Sequence, residues 1–162
     1  MAHLKGVTMQ HPVHEDSSDV ELHFCIVTDD IARTAAWLAG LLGVPVPPIE
    51  DGPRPDVHQE YDGTSGDTDF RQAYFTWRGT GVEFIEPGPG PSSWRTHLER
   101  FGAGVHHIGV RGRDAVATGG ELARMGHPSV HSGGSAAGTF AYYDTTRELG
   151  TLLELVTSTG KA

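Results

Sequence analysis

The chain has 162 residues, 37% of them hydrophobic and 20% charged, which suits one compact domain with a single core and excludes fibrous and disordered readings. Its 12 basic and 21 acidic residues give a formal charge of −9, so most of the surface repels a phosphate backbone and nucleic acid is not an expected partner. The single cysteine, Cys25, can form neither an internal disulfide nor a thiolate zinc cage.

The opening residues MAHLKGVTMQHPVHEDSSD lack the apolar run of a secretory signal. No later stretch approaches the roughly 18 apolar residues of a membrane span. The expectation is a soluble, cytoplasmic protein with no membrane partner. Residues 1–18 are polar and aperiodic and read as a flexible tail before one domain at 19–159.

From Val20 the pattern changes. VELHFCIV alternates, with Leu22, Phe24 and Ile26 on one face of a strand and His23, Cys25 and Val27 on the other. TDDIARTAAWLAGLLG reads as a helix capped by Thr28 or an aspartate and stopped by Gly43. A Pro/Gly/Asp-rich stretch follows from Pro45 to Asp69, with one short strand inside a long loop. FRQAYFTWRGTGVEFIEP reads as a hairpin turning at Arg78–Gly81 and ended by Pro87.

PGPGPSSWRTHLERFGAG is a linker with a short helix capped by Ser92 or Ser93. The pattern then restarts: VHHIGVRG is a strand, RDAVATGGELARMG a helix, and HPSVHS, GTFAYYDT and GTLLELVTS are three strands. Two repeats are therefore expected, at about 20–87 and 104–158, joined by the linker at 88–103. His23 precedes Gly43 by 20 residues and His107 precedes Gly126 by 19, so the two helices occupy equivalent places. Each half also ends with a carboxylate inside an apolar strand, Glu83 in VEFI and Glu154 in LELV.

A carboxylate in an apolar strand is costly to bury unless it is paired, protonated or bound to a cation. A pseudo-twofold axis relating the halves would let His23, Glu83, His107 and Glu154 converge, a nitrogen/oxygen set suited to a divalent transition metal. Neighbours on a strand face opposite ways, so His107 takes the phase of His23 while His106 joins Ile108 and Val110 in the core. Trp37 and Trp94 read as packing residues, and Phe75, Trp77 and Tyr142 as candidates to line a pocket. The glycine-rich HSGGSAAGTF lacks a Gly-Lys-Ser/Thr and opens no helix. It reads as a mobile flap or a hairpin loop, not a phosphate loop.

With these motifs, GVHHIGV, FAYYDT and LGTLLELV among them, the chain resembles the vicinal oxygen chelate superfamily over about residues 20–157. That group contains glyoxalase I, methylmalonyl-CoA epimerase, extradiol dioxygenases and bleomycin-resistance proteins. The epimerase-like branch is the most similar. The resemblance implies an α+β fold of two tandem βαβββ modules, a cupped mixed sheet around a metal site with helices outside. It places the metal ligands at His23, Glu83, His107 and Glu154, around one divalent ion (Zn, Ni, Co, Mn or Fe(II)).

It further implies a lyase or isomerase that moves a proton beside a carbonyl of a small oxygen-rich substrate, with Glu83 or Glu154 as the base. Glu83 stands where the epimerases carry glutamine. Asp67 and Asp69 align only loosely with the epimerases' additional glutamate base. Arg95, Arg100 and Arg147 are the candidate phosphate contacts for a CoA substrate. A ring-cleaving dioxygenase and a non-catalytic antibiotic-binding protein are the alternatives, and a homodimer is plausible for paired modules.

Overall fold

A computed structural model describes residues 21–66, 68–112 and 115–158. The expected tail at 1–18 lies outside them, as do Val20 and Asp67. Among the described residues no helix is long and apolar enough to cross a membrane.

Ten strands form one curled sheet, and the first half builds one side of it. Its elements are β1 (Glu21–Val27), α1 (Ile31–Leu42), β2 (Ile49–Gly52), β3 (His58–Tyr61), β4 (Thr64–Ser65), β5 (Phe70–Trp77) and β6 (Thr80–Pro87). The helix α2 (Ser93–Phe101) leads to β7 (Gly104–Arg111), α3 (Ala115–Arg124), β8 (Ser129–Ser135), β9 (Gly138–Tyr143), α4 (Thr146–Leu149) and β10 (Leu152–Ser158). Across the sheet the order is β2-β5-β6-β1-β7-β10-β9-β8-β3-β4. Without β3 and β4, each half is a βαβββ module, and the two meet at the antiparallel pair β1–β7. This is the α+β arrangement expected from the sequence.

Local chemistry explains the element ends. Asp30 caps α1 by accepting from the Arg33 amide, and Gly43 closes it in the left-handed region at φ 68°. Ser92 caps α2 by accepting from the Arg95 amide. α1 covers the outer face of the first module, where Ile31 and Ala35 pack with Ala73, Val82 and Phe84. On the inner face α2 sets the Trp94 indole against Cys25, Val27, Ile85 and Tyr142, which fills the floor of the cup on one side.

Three expectations are corrected. The Pro45–Asp69 stretch holds three short strands instead of one. Two of them leave their module, because β3 pairs with β8 on the far edge of the second. That pairing covers the backbone groups a bare edge would expose. The glycine-rich segment is no flap, since Ser132–Ser135 continue β8 and pair with β9. Trp37 is not packed; it stands 67% exposed on α1, whereas Trp94 is buried.

Candidate metal centre

The same strand register places the histidine and carboxylate of each module. On the parallel pair β1–β6, His23 lies opposite Gly81, two residues before Glu83. On the parallel pair β7–β10, His107 lies opposite Leu152, two residues before Glu154. With β1 and β7 adjacent at the centre of the sheet, all four side chains meet on the inner face.

The distances are short. The Nε2 atoms of His23 and His107 are 3.3 Å apart. Glu154 Oε2 lies 2.9 Å from His23 Nε2 and 3.3 Å from His107 Nε2. Glu83 Oε2 lies 3.4 Å from His107 Nε2 and 3.9 Å from His23 Nε2. His23, Glu83 and His107 form a group able to hold a metal ion, their ligand atoms all within 4.8 Å of one another.

Donor chemistry and separation both suit a cation. Ligands at about 2.0–2.2 Å from one small divalent ion sit roughly 3–3.5 Å apart, close to the 2.9–3.9 Å seen here. Glu83 Oε2 is buried and has no hydrogen-bond partner, an expensive state for a carboxylate oxygen that a bound cation would relieve.

The electrostatics tell the same story. Burial opposes ionisation of Glu154, yet the His107 and His23 imidazoles beside it hold its pKa well below the usual carboxylate range. Burial likewise opposes charge on His107, but the ionised Glu154 carboxylate beside it raises its pKa well above the ordinary imidazole value. Burial pushes the Cys25 thiol up to about 12, so it stays a neutral floor to the cluster.

His106 departs from the expected strand alternation. In the β1–β7 ladder Cys25 pairs with His107 and Ile26 with Val105, which leaves His106 as the extra residue of a β-bulge. The bulge turns it to the side of His107 instead of that of Ile108 and Val110. Its Nδ1 lies 2.9 Å from His107 Nδ1, and both rings pack on Tyr142.

A cavity of about 310 Å³ opens beside the cluster, with Glu21, Glu50, Gln72, Tyr74, Glu83 and Arg111 around it. Arg111 pairs with Glu21 at 3.2 Å, and the Tyr74 hydroxyl donates to the same carboxylate. Burial, then the Glu21 charge, raises Tyr74 to about 12 and keeps it a donor. Of the aromatic residues proposed to line a pocket, Tyr142 lies buried under His107. Phe75 instead packs on the α1 side, and Trp77 lies 38% exposed at the end of β5.

The sequence did not single out Gly81, Gly109 or the rim residues Glu21 and Arg111. The glycines were visible in TGVEF and HHIGV, but only the register shows that they flank His23. Of the arginines considered for phosphate, Arg95 donates to the Pro87 and Gly88 carbonyls and is occupied there. Arg100 and Arg147 are exposed, as is Asp69.

Residues 22–143 match the family model described as the Glyoxalase/Bleomycin resistance protein/Dioxygenase superfamily. The chain belongs to that superfamily. No curated protein matches it. Among solved structures, methylmalonyl-CoA epimerase from Mycobacterium tuberculosis superposes with a TM-score of 0.63 at 19% identity, over 88% of this chain and 89% of the epimerase. A Streptomyces coelicolor methylmalonyl-CoA epimerase variant in complex with 2-nitronate-propionyl-CoA gives 0.57 at 20% identity, over 88% and 98%. A mutant 4-hydroxymandelate synthase from Streptomyces coelicolor gives 0.57 at 13% identity, covering 89% of this chain and 50% of the synthase. At these identities the likeness to superfamily structures is one of fold.

Proposed function

We propose that this superfamily member is a divalent-metal-dependent lyase or isomerase that moves a proton beside a carbonyl of a small oxygen-rich substrate, through an enolate. The observation that carries the reading is the convergence of two imidazoles and two glutamates around one point, with Glu83 Oε2 buried and without a hydrogen bond. His23, Glu83, His107 and Glu154 would hold the ion. When bound, it supplies Lewis-acid stabilisation of the negative charge that gathers on substrate oxygen.

The chain's own groups divide the remaining work. Glu154, with 7% of its side chain exposed, is held ionised between the histidines and anchors the cluster. Glu83, at 19%, faces the 310 Å³ cavity and is the better placed carboxylate to take a proton from carbon. Arg111, which pairs with Glu21 through Nε, has further N–H donors on the same rim to orient substrate oxygens, and Tyr74 fixes the Glu21 carboxylate that holds it. The buried floor of Cys25, Trp94 and Tyr142 keeps water from the far side and strengthens each charge interaction within.

The test is metal content followed by exchange. Tag-free protein should carry about one ion per chain, and His107→Ala and Glu154→Ala should each lose it. Loaded protein should then catalyse solvent deuterium incorporation into some member of a panel of thioesters, hemithioacetals and 2-oxo or 2-hydroxy acids. Glu83→Gln should abolish exchange. A wild type that stays empty and takes up none of Zn, Ni, Co, Mn or Fe(II) would overturn the reading and make a binding protein the better account.

A further inference from the structure

We infer that a second cleft, separate from the cavity beside Glu83, binds a small molecule with one carboxylate on an apolar body, and that His106 is the donor that receives it. The cleft has a volume of about 480 Å³ and lies at the α2 end of the molecule. Phe101, Val105, Val130 and Leu152 give it apolar walls, and His106 and Arg100 also line it.

His106 carries the argument. It is 2% exposed, and its Nε2 is buried without a hydrogen-bond partner. Its other nitrogen is committed, 2.9 Å from His107 Nδ1. The next step rests on the metal reading above. If His107 turns its Nε2 lone pair to an ion, its proton sits on Nδ1 and is donated to His106 Nδ1. The His106 proton then sits on Nε2, where no acceptor of the protein meets it. A buried donor of this kind is stabilised by an acceptor brought in from outside.

The charge at the same cleft sets the ligand class. The Arg100 guanidinium lies over the Phe101 ring at 5.2 Å and has no salt-bridge partner among the described residues. The carboxylate of the cleft, Asp144, is occupied by the amide and hydroxyl of Thr146, which lowers its pKa. One buried N–H, one unpaired guanidinium and apolar walls fit an amphipathic carboxylate. Through the His106–His107 contact, its occupancy would also reach the metal centre as an outer-shell interaction.

Benzoate is the probe. Zinc-loaded and chelator-treated protein would be titrated with it by calorimetry, alongside nitrogen–proton spectra of histidine-labelled protein. The expected result is one saturable site per chain, a shift of the His106 Nε2 resonance, and about tenfold weaker binding in Arg100→Ala. Arg111→Ala, at the other cavity, should bind benzoate as the wild type does. The exposed Arg100 makes its variant safe for folding where a change at His106 is not.

No saturation, an unchanged affinity in Arg100→Ala, or binding lost in Arg111→Ala would overturn the inference. The two readings fail separately. Protein that takes no zinc yet binds benzoate with the Arg100 dependence loses the metal reading and the His106 proton position drawn from it, and keeps the cleft. Protein that takes zinc but shows no Arg100-dependent binding does the reverse.

Discussion

His131 shows how a buried polar residue sets a pH limit on this fold. It is 1% exposed, with Nδ1 2.9 Å from Ser93 Oγ and Nε2 3.1 Å from Gln59 Oε1. A neutral ring satisfies both, with Nε2–H donating to the glutamine carbonyl and Nδ1 accepting from the serine. Burial lowers its pKa to about 4, below the 6.5 of a free imidazole. Above pH 6.5 the ring is neutral folded or unfolded, and its stabilising contribution is whole. As pH falls from 6.5 towards 4 the unfolded chain takes up a proton that the folded one refuses, so stability drops by up to about 3 kcal/mol. Denaturant midpoints at pH 7 and pH 4.5 should show the loss, and His131→Gln should show less of it. An equal loss in both proteins would assign the effect to other groups. The role of His131 leaves no mark in the sequence, because its partners lie 38 and 72 positions away. His23, Glu83, His107 and Glu154 were legible for the opposite reason: a duplicated register repeats their spacing within one chain.

At the scale of elements, the centre depends on where strands carry no side chain. Gly109 on β7 lies opposite His23 on β1, and a Cβ added there would overlap the His23 ring. Gly81 on β6 lies opposite it on the other side, with a Cβ position 2.7 Å from His23 Cβ. His23 thus reaches the cluster through a slot between two glycines. Gly109→Ala should swing the ring out and remove the metal while leaving the far-ultraviolet circular dichroism unchanged. Gly120→Ala, on α3 with nothing within 4 Å of the new Cβ, should keep its ion. Equal metal content in the two variants would show that His23 is dispensable. The alternation of β1 and β7 could be read from LHFCIV and HHIGV, and so could both helix caps. The bulge that turns His106 beside His107 could not, because it arises in the pairing of β7 with β1 and leaves no mark in either strand alone.

For the whole molecule, the site is also a joint. Each module gives one histidine and one glutamate, and the modules meet directly through β1–β7, while β3 reaches across to the outer strand β8. That crossing was hidden in a Pro/Gly-rich stretch, where short strands lack enough residues to show a period and the partner edge belongs to the other repeat. On the function proposed here, a metal held by both modules would bind the folded chain and not its separated halves, so its binding energy would add to global stability. At a free metal concentration about a hundredfold above Kd the gain is about 2.7 kcal/mol. For a chain of this size that corresponds to a rise of roughly 5–10 °C in melting temperature. Calorimetric scans of chelator-treated protein, with and without added zinc, should show that shift in the wild type and none in Glu154→Ala. Each variant lacks a ligand from only one half, so His23→Ala in the first module should lose the shift as fully as Glu154→Ala in the second. A stabilisation that survives either change would mean the ion sits within one module, and the shared site would have to be given up.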